Sequence, residues 1–240
     1  MTVRNSASGG TVAAGRRQRN ARGQGARLSE EIVSAALELI CRTGTKESVT
    51  LRAVAREIGI AAPSIYPHFA DRDAILMAVV ARLFDELTEA ITAGTEAGGE
   101  DPVDRLVAGC EGYVRYGMAN PARYGALFSS QQPPACSQPL SEPGARHGRV
   151  GTESARRAVP ELGAQAFALV VEAISACIDA GASSSRDAAA DGTAVWVALH
   201  GTVTLRTARP AFPWPEPVDE FVRQLVLTLA RITNPAPRPA

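Results

Sequence analysis

The stretch Val49–Phe69, VTLRAVAREIGIAAPSIYPHF, constrains the fold of this chain more than any other. Its residues spell two short helices and a tight turn. Thr50 suits an N-cap, since its side-chain oxygen accepts from orphan backbone amides at a helix start. Leu51, Val54, Ala55 and Ile58 recur at spacings of three and four and make one apolar face. Gly59 suits a left-handed C-cap that ends the first helix. Pro63 suits the first turn of a second, where its missing N–H costs nothing. Two helices joined by a short glycine-containing turn describe a helix-turn-helix, whose second helix reads a DNA major groove.

A net charge of zero over 240 residues argues at first against nucleic acid. Its distribution argues the other way. Residues 1–70 carry ten Lys/Arg against five acids, a net +5, which leaves −5 on residues 71–240. One basic, DNA-facing part and one acidic part that avoids DNA fit that asymmetry. The length allows one large domain or two modest ones. Cys41, Cys110, Cys136 and Cys177 are widely spaced, which indicates neither a zinc site nor a disulfide framework. No apolar run is long enough to span a membrane, and the N-terminus does not read as a secretory signal. A cytoplasmic location is the expectation.

Along the chain, Met1–Ala26 is a Gly/Ala/Ser/Arg-rich stretch without acids and is expected to be a disordered basic arm. It either touches DNA phosphates or a minor groove, or is a solvated tail. Arg27–Gly44 is the first helix, with Ser29 as N-cap, Glu30 and Glu31 in the first turn, and Leu28, Ile32, Ala36, Leu39 and Ile40 as its stripe. Asp71–Gly94 is a long helix with Ile75, Leu76, Val79, Val80, Leu83, Phe84, Leu87 and Ile91 inward. It follows the reading segment so closely that its movement would be transmitted to it. Pro102–Ala119 is a helix with Val103, Leu106, Val107, Cys110, Val114 and Met118 inward, and Asn120-Pro121 restarts a short one over Pro121–Ser129. Gln131–Gly151 reads as a long loop.

Glu153–Gly181 returns to helix, interrupted or bent at Pro160, with Phe167, Val170, Val171, Ile174 and Ile178 buried. Ala188–Arg209 is strongly apolar. FPWPEP breaks it, and Val218–Thr233 is a last amphipathic helix with Phe221, Leu225, Leu227 and Leu229. The tail 235–240 should be disordered. No period-two strand pattern occurs, so the expected fold is all-α: a helix-turn-helix domain over 27–70 and a helical ligand-binding and dimerisation domain over 71–234.

The segments EIVSAALELICRTG, VTLRAVAREIGI, APSIYPHF and ADRDAIL together resemble the TetR family of bacterial transcriptional repressors, with Tyr66-x-His68-Phe69 closing the recognition helix. The later Trp196-Val-Ala-Leu-His200-Gly201 is similar to a Trp-x-x-x-His-Gly pattern found in one C-terminal domain type of that family. The resemblance implies a homodimer whose recognition helices enter successive major grooves of a palindromic double-stranded operator, roughly 34–36 Å apart. It implies release by a small-molecule inducer, so the implied function is a ligand-responsive repressor. Two alternatives stand beside it: an activator of the same fold, and a helical small-molecule-binding protein with an incidental helix-turn-helix.

Carried onto this sequence, the resemblance gives Thr50, Arg52, Tyr66, His68 and Arg72 to the DNA backbone, where contacts set register but carry no sequence information. Ala62, Pro63 and Ser64 fall at the base-reading end. They are small and offer no bidentate pair, so shape or the basic arm must share specificity. Pro67 is expected to bias Tyr66 away from helical dihedrals and keep the helix short. Tyr66 packing its ring on the first helix and His68 capping carbonyls are the structural alternatives. Phe84, Leu87, Tyr113, Tyr116, Phe128, Phe167 and Val171 are the pocket candidates for an apolar or amphipathic ligand, with ordinary core as the alternative for each. Trp196, His200, Gly201, Phe221 and Leu225 are candidates for the dimer interface, and His200 is left open between interface and cavity. As a general base His200 would need a nearby nucleophile or carboxylate, and none is adjacent in sequence. No catalytic residue, cofactor or metal is expected.

Overall fold

The computed structural model describes residues 24–128 and 150–233, which fold as helices with no strand among them. The arm up to 23, the loop over 131–149, Cys136 and the tail from 234 lie outside the described residues. α1 spans Gln24–Thr43, α2 Leu51–Glu57, α3 Arg72–Ala97, α4 Pro102–Ala119 and α5 Pro121–Phe128. α6 spans Val150–Asp179, α7 Ala188–Ala208 and α8 Val218–Leu229. Between α2 and α3 the chain makes only one 3-10 turn, Ala62–Ile65.

α1 begins earlier than its sequence pattern suggested, inside the stretch expected to be arm. Ser29 is therefore an interior residue and not the N-cap. Its hydroxyl donates back to Gly25 O at 3.2 Å, the i−4 bond that short polar side chains make within a helix. Glu30 and Glu31 consequently sit in the second turn, away from the helix terminus. Ile32, Ala36, Leu39 and Ile40 are buried against α2 and α3, so three helices and the turn form one small head. Arg42 at the end of α1 clamps Glu57 at the end of α2 with two bonds of 3.0 and 2.9 Å. That hydrogen bonding holds the Glu57 carboxyl below its ordinary range.

α3 is the spine, touching α1, α4, α5 and α6. All eight residues expected on its inner face are buried, and Asp71 caps its start by accepting from Ala74 N at 2.8 Å. α3 and α4 approach so closely that bare backbone forms the seam. A Cβ on Gly94 would lie 2.4 Å from Ala108 O, and one on Gly112 would lie 2.5 Å from Ala90 O. Asp101 caps α4 through Val103 N and Asp104 N, with Pro102 at the first position. Met118, expected inward, is 39% exposed, because the last turn of α4 turns the bare Gly117 against Val203 and Tyr124 and leaves Met118 on the outside.

α6 continues through Pro160 without interruption, the absent N–H removing one ladder bond but not ending the run. Of its expected stripe, Val170 and Ile174 are buried, while Phe167, Val171 and Ile178 are half-buried at the edge. α8 turns a different face inward from the one expected. Val222, Val226 and Ala230 are buried, and Phe221, Leu225, Leu227 and Leu229 are half-buried. The helix is apolar on more than one side, and the choice of face falls to its packing against α4 and α7.

Candidate functional site

The head presents its exposed polar groups around the 3-10 turn. Ile65 is fully buried and anchors that turn, which leaves Pro63 and Ser64 exposed and Ala62 half-buried. Gly59 takes φ +69°, the left-handed stop that lets α2 end and the turn begin. The Thr50 oxygen accepts from Ala53 N at 3.1 Å, so the cap consumes a lone pair and its own proton remains to donate. Arg52 is exposed two residues on.

Tyr66 differs from the sequence expectation. Its backbone is helical (φ −57°, ψ −31°), so the bias that Pro67 puts on it is overridden. Its ring is 58% exposed, so it is not packed away against α1. His68 is half-buried with Nδ1 3.0 Å from Ser29 Oγ, a contact 39 residues apart in sequence that orients the ring from α1. Arg72 reaches back across the head. Its Nε donates to Val49 O at 2.6 Å and its Nη2 to Lys46 O at 2.7 Å, so the guanidinium ties the start of α3 to the backbone just before α2.

Away from the head, two sets of residues that the sequence kept apart meet in one aromatic cluster. Phe84 packs edge-on to Phe128, Tyr113 edge-on to Trp196, and Trp196 edge-on to Phe167. Phe128 also meets the His200 ring at 4.4 Å between centroids. Leu87 and Tyr113 are fully buried among these groups, and Val171 lines the seam opposite Gly192. The residue that joins the sets is Tyr124, which sequence reasoning placed on the short helix without a role. Its hydroxyl lies 2.7 Å from that of Tyr113 and 2.8 Å from His200 Nδ1. No periodicity relates positions 76 residues apart, so nothing in the sequence signals this pair.

Burial lowers the His200 pKa from its ordinary value and raises those of Tyr113 and Tyr124, so all three are neutral near pH 7. A histidine whose pKa is depressed in the fold contributes stability above the unfolded pKa of about 6.5, and loses it as pH falls through the folded value. The melting temperature is therefore expected to drop between pH 7.5 and 5, and His200→Asn is expected to flatten part of that drop. Melting curves by circular dichroism at fixed ionic strength check this. A drop identical in the variant would exclude His200 as a contributor.

Glu86 on α3 is a second junction. It accepts from Arg123 of α5 at 2.8 and 2.9 Å and from the Tyr116 hydroxyl of α4 at 3.1 Å. Arg82, one turn away, donates to Ser34 of α1 at 2.7 Å. α5 thus touches α1 and α3 through one flank and His200 of α7 through Tyr124 and Phe128. Among the described residues lie two clefts of note, the first apart from these groups and the second beside α5. One, of about 430 Å³, lies among Thr95, Glu96, Glu100, Arg105 and Glu172. The other, of about 330 Å³, lies between α5 and α7 and includes Phe128 and His200. Burial pushes the Cys110 thiol up to about 12 and the Cys177 thiol up to about 11, so neither forms a thiolate at neutral pH. Among the described residues no cluster of metal-ligating side chains occurs, and no helix is long and apolar enough to cross a membrane.

On the outer side of the last helices, Val197 is 63% and Leu205 53% exposed on α7. Leu225 of α8 is half-buried, a Cβ on Gly201 would meet nothing within 4 Å, and Trp196 is turned inward onto Tyr113 and Phe167. Phe221 instead lies over the Arg206 guanidinium at 5.5 Å. Arg206 also bonds Glu216 at 2.7 Å, and so holds the proline-rich strap against α7.

The chain is similar to two families of known proteins. Residues 32–79 match the family described as bacterial regulatory proteins, tetR family, and residues 106–229 match the tetracyclin repressor-like C-terminal domain. No curated protein sequence matches. Among solved structures, a protein with unknown function from Rhodococcus sp. RHA1 superposes with a TM-score of 0.66 at 24% identity, covering 85% of this chain and 94% of the other. A bacterial regulatory protein in the tetR family from Rhodococcus RHA1 gives 0.60 at 17%, covering 86% and 98%. The fatty acid degradation regulator FadR from Bacillus halodurans gives 0.62 at 13%, covering 88% and 97%.

Proposed function

The chain belongs to the TetR family of bacterial transcription regulators, and from that premise we propose that it is a ligand-responsive repressor that binds a palindromic operator as a homodimer. The observation that carries the reading is the head itself. A fully buried Ile65 fixes a single turn, around which Ser64, Tyr66, Arg52 and Thr50 are exposed together. Tyr66, Arg52, Thr50 and His68 hold phosphates, and Ala62, Pro63 and Ser64 meet base edges. Such thin base chemistry makes half-site spacing important, and that spacing is set by the dimer. The exposed apolar side of α7, with Leu225 of α8, is the surface that pairs with a second copy. An inducer releases DNA only if it binds the DNA-free arrangement more tightly than the DNA-bound one. α5, in contact with both the head and α7, is the element such a ligand would displace.

A mobility shift on DNA upstream of the chain's own gene tests the reading. Wild-type binding is expected to weaken steeply with salt, because phosphate contacts release counterions. Tyr66→Ala is expected to bind about tenfold more weakly, as loss of one hydrogen bond to a charged group implies. Equally weak, salt-independent binding by both proteins would sink the proposal.

A further inference from the structure

The chemistry of the cleft between α5 and α7 defines what it can hold. Tyr113 is fully buried, and the partner of its hydroxyl is the Tyr124 hydroxyl at 2.7 Å. A buried O–H without an acceptor is costly, so Tyr113 donates to Tyr124. The single proton of Tyr124 then goes to His200 Nδ1 at 2.8 Å. With Nδ1 an acceptor, the neutral ring carries its proton on Nε2. The nearest acceptor for that N–H among the described residues is Thr204 Oγ1 at 3.5 Å, too long for a good bond. Both His200 and Thr204 line the cleft. The direction of a buried hydrogen-bond chain therefore leaves one under-used donor at the cleft wall.

The remaining walls are Pro121, Gly125, Phe128, the Tyr124 ring, Thr207 and Ala208, and no Asp, Glu, Lys or Arg is among the described lining residues. A charged ligand would give up water there without a counter-ion. The volume, about 330 Å³, suits a small molecule. We propose that the α5–α7 cleft binds a small, neutral, largely apolar molecule through a carbonyl or ether oxygen that accepts from His200 Nε2–H. Aromatic faces on Phe128 and Tyr124 hold its body. The site gives the regulator reading its ligand class and rests on that reading for its biological consequence, though not for its binding chemistry.

The test uses the full chain and the neutral naphthyl ketone prodan, whose emission moves to the blue in apolar surroundings, with its carbonyl-free counterpart 2-(dimethylamino)naphthalene. Wild type is expected to bind prodan saturably with a blue shift. Gly125 lines the cleft, and a Cβ there meets nothing within 4 Å, so Gly125→Leu fills the cleft without disturbing the fold. It is expected to weaken prodan binding at least about tenfold. His200→Asn keeps an acceptor for Tyr124 but is too short to place its amide N–H where Nε2–H stood, and is expected to weaken prodan about tenfold while leaving the carbonyl-free compound unchanged. Absence of saturable binding by wild type overturns the proposal, as does prodan affinity unchanged in either variant. Melting curves check that both variants are folded. Prodan titration needs no DNA and the mobility shift needs no prodan. Failure of DNA binding alone removes the repressor reading, and failure of prodan binding alone removes this site.

Discussion

Gly112→Val is expected to destabilise the protein by about 3 kcal/mol, read as a lower urea midpoint with little change in slope. The cause lies in the α3–α4 seam. The new Cβ would stand 2.5 Å from the carbonyl oxygen of Ala90, a backbone atom that cannot rotate aside. Relief requires the two helices to separate, and Gly94 on the facing helix sits against Ala108 O in the same way. Separation would also loosen Leu83, Leu87, Leu106 and Tyr113, all fully buried nearby in the core. Gly125→Ala is the control. It lies on an exposed helical position with open space at Cβ, so the exchange is expected to be neutral or to stabilise by up to about 1 kcal/mol. Equal effects of the two substitutions would show that helix propensity, and not the close approach, governs the seam.

The second large effect is expected at Arg72. Its bonds to Val49 O and Lys46 O are charge-assisted, with the side chain part-buried. Losing them leaves two carbonyls without these donors, and Arg72→Ala is expected to cost about 2–3 kcal/mol in the stability of the head. Operator affinity should fall with it, because Thr50 and Arg52 follow directly from the tethered backbone. Lysine cannot reproduce two bonds in a fixed fork, so Arg72→Lys is expected to recover little. Melting curves and mobility shifts at several salt concentrations separate this from a phosphate contact. A pure phosphate contact would leave the melting temperature unchanged and lower the salt slope by about one. That outcome would refute the tethering role.

Legibility in the sequence varied with the range of the interactions. Caps and stops could be read because they act within a few residues: Thr50 caps through Ala53 N, Gly59 takes the left-handed stop, and Asp71 caps α3. The inner face of α3 could be read because a long helix packed on several neighbours must bury its apolar stripe. Ser29 misled for the converse reason. A serine bonded to its own i−4 carbonyl looks, in sequence, like one waiting to cap. The face of α8 was ambiguous in composition, since Val222 and Val226 compete with Phe221 and Leu225 for the inside.

Periodicity along the whole chain, with no period-two run, determined an all-α fold, and the caps and turn residues of Val49–Phe69 determined a helix-turn-helix head, though not that its second helix is a single 3-10 turn. Only the tertiary structure decided which way Arg72 reaches, what holds His68, and that Tyr113 and Phe128 from one set of candidates meet Trp196 and His200 from the other through Tyr124. Those contacts join residues 23 to 76 positions apart. Their partners are chosen by the packing angles of whole helices, and no short window of sequence carries that information.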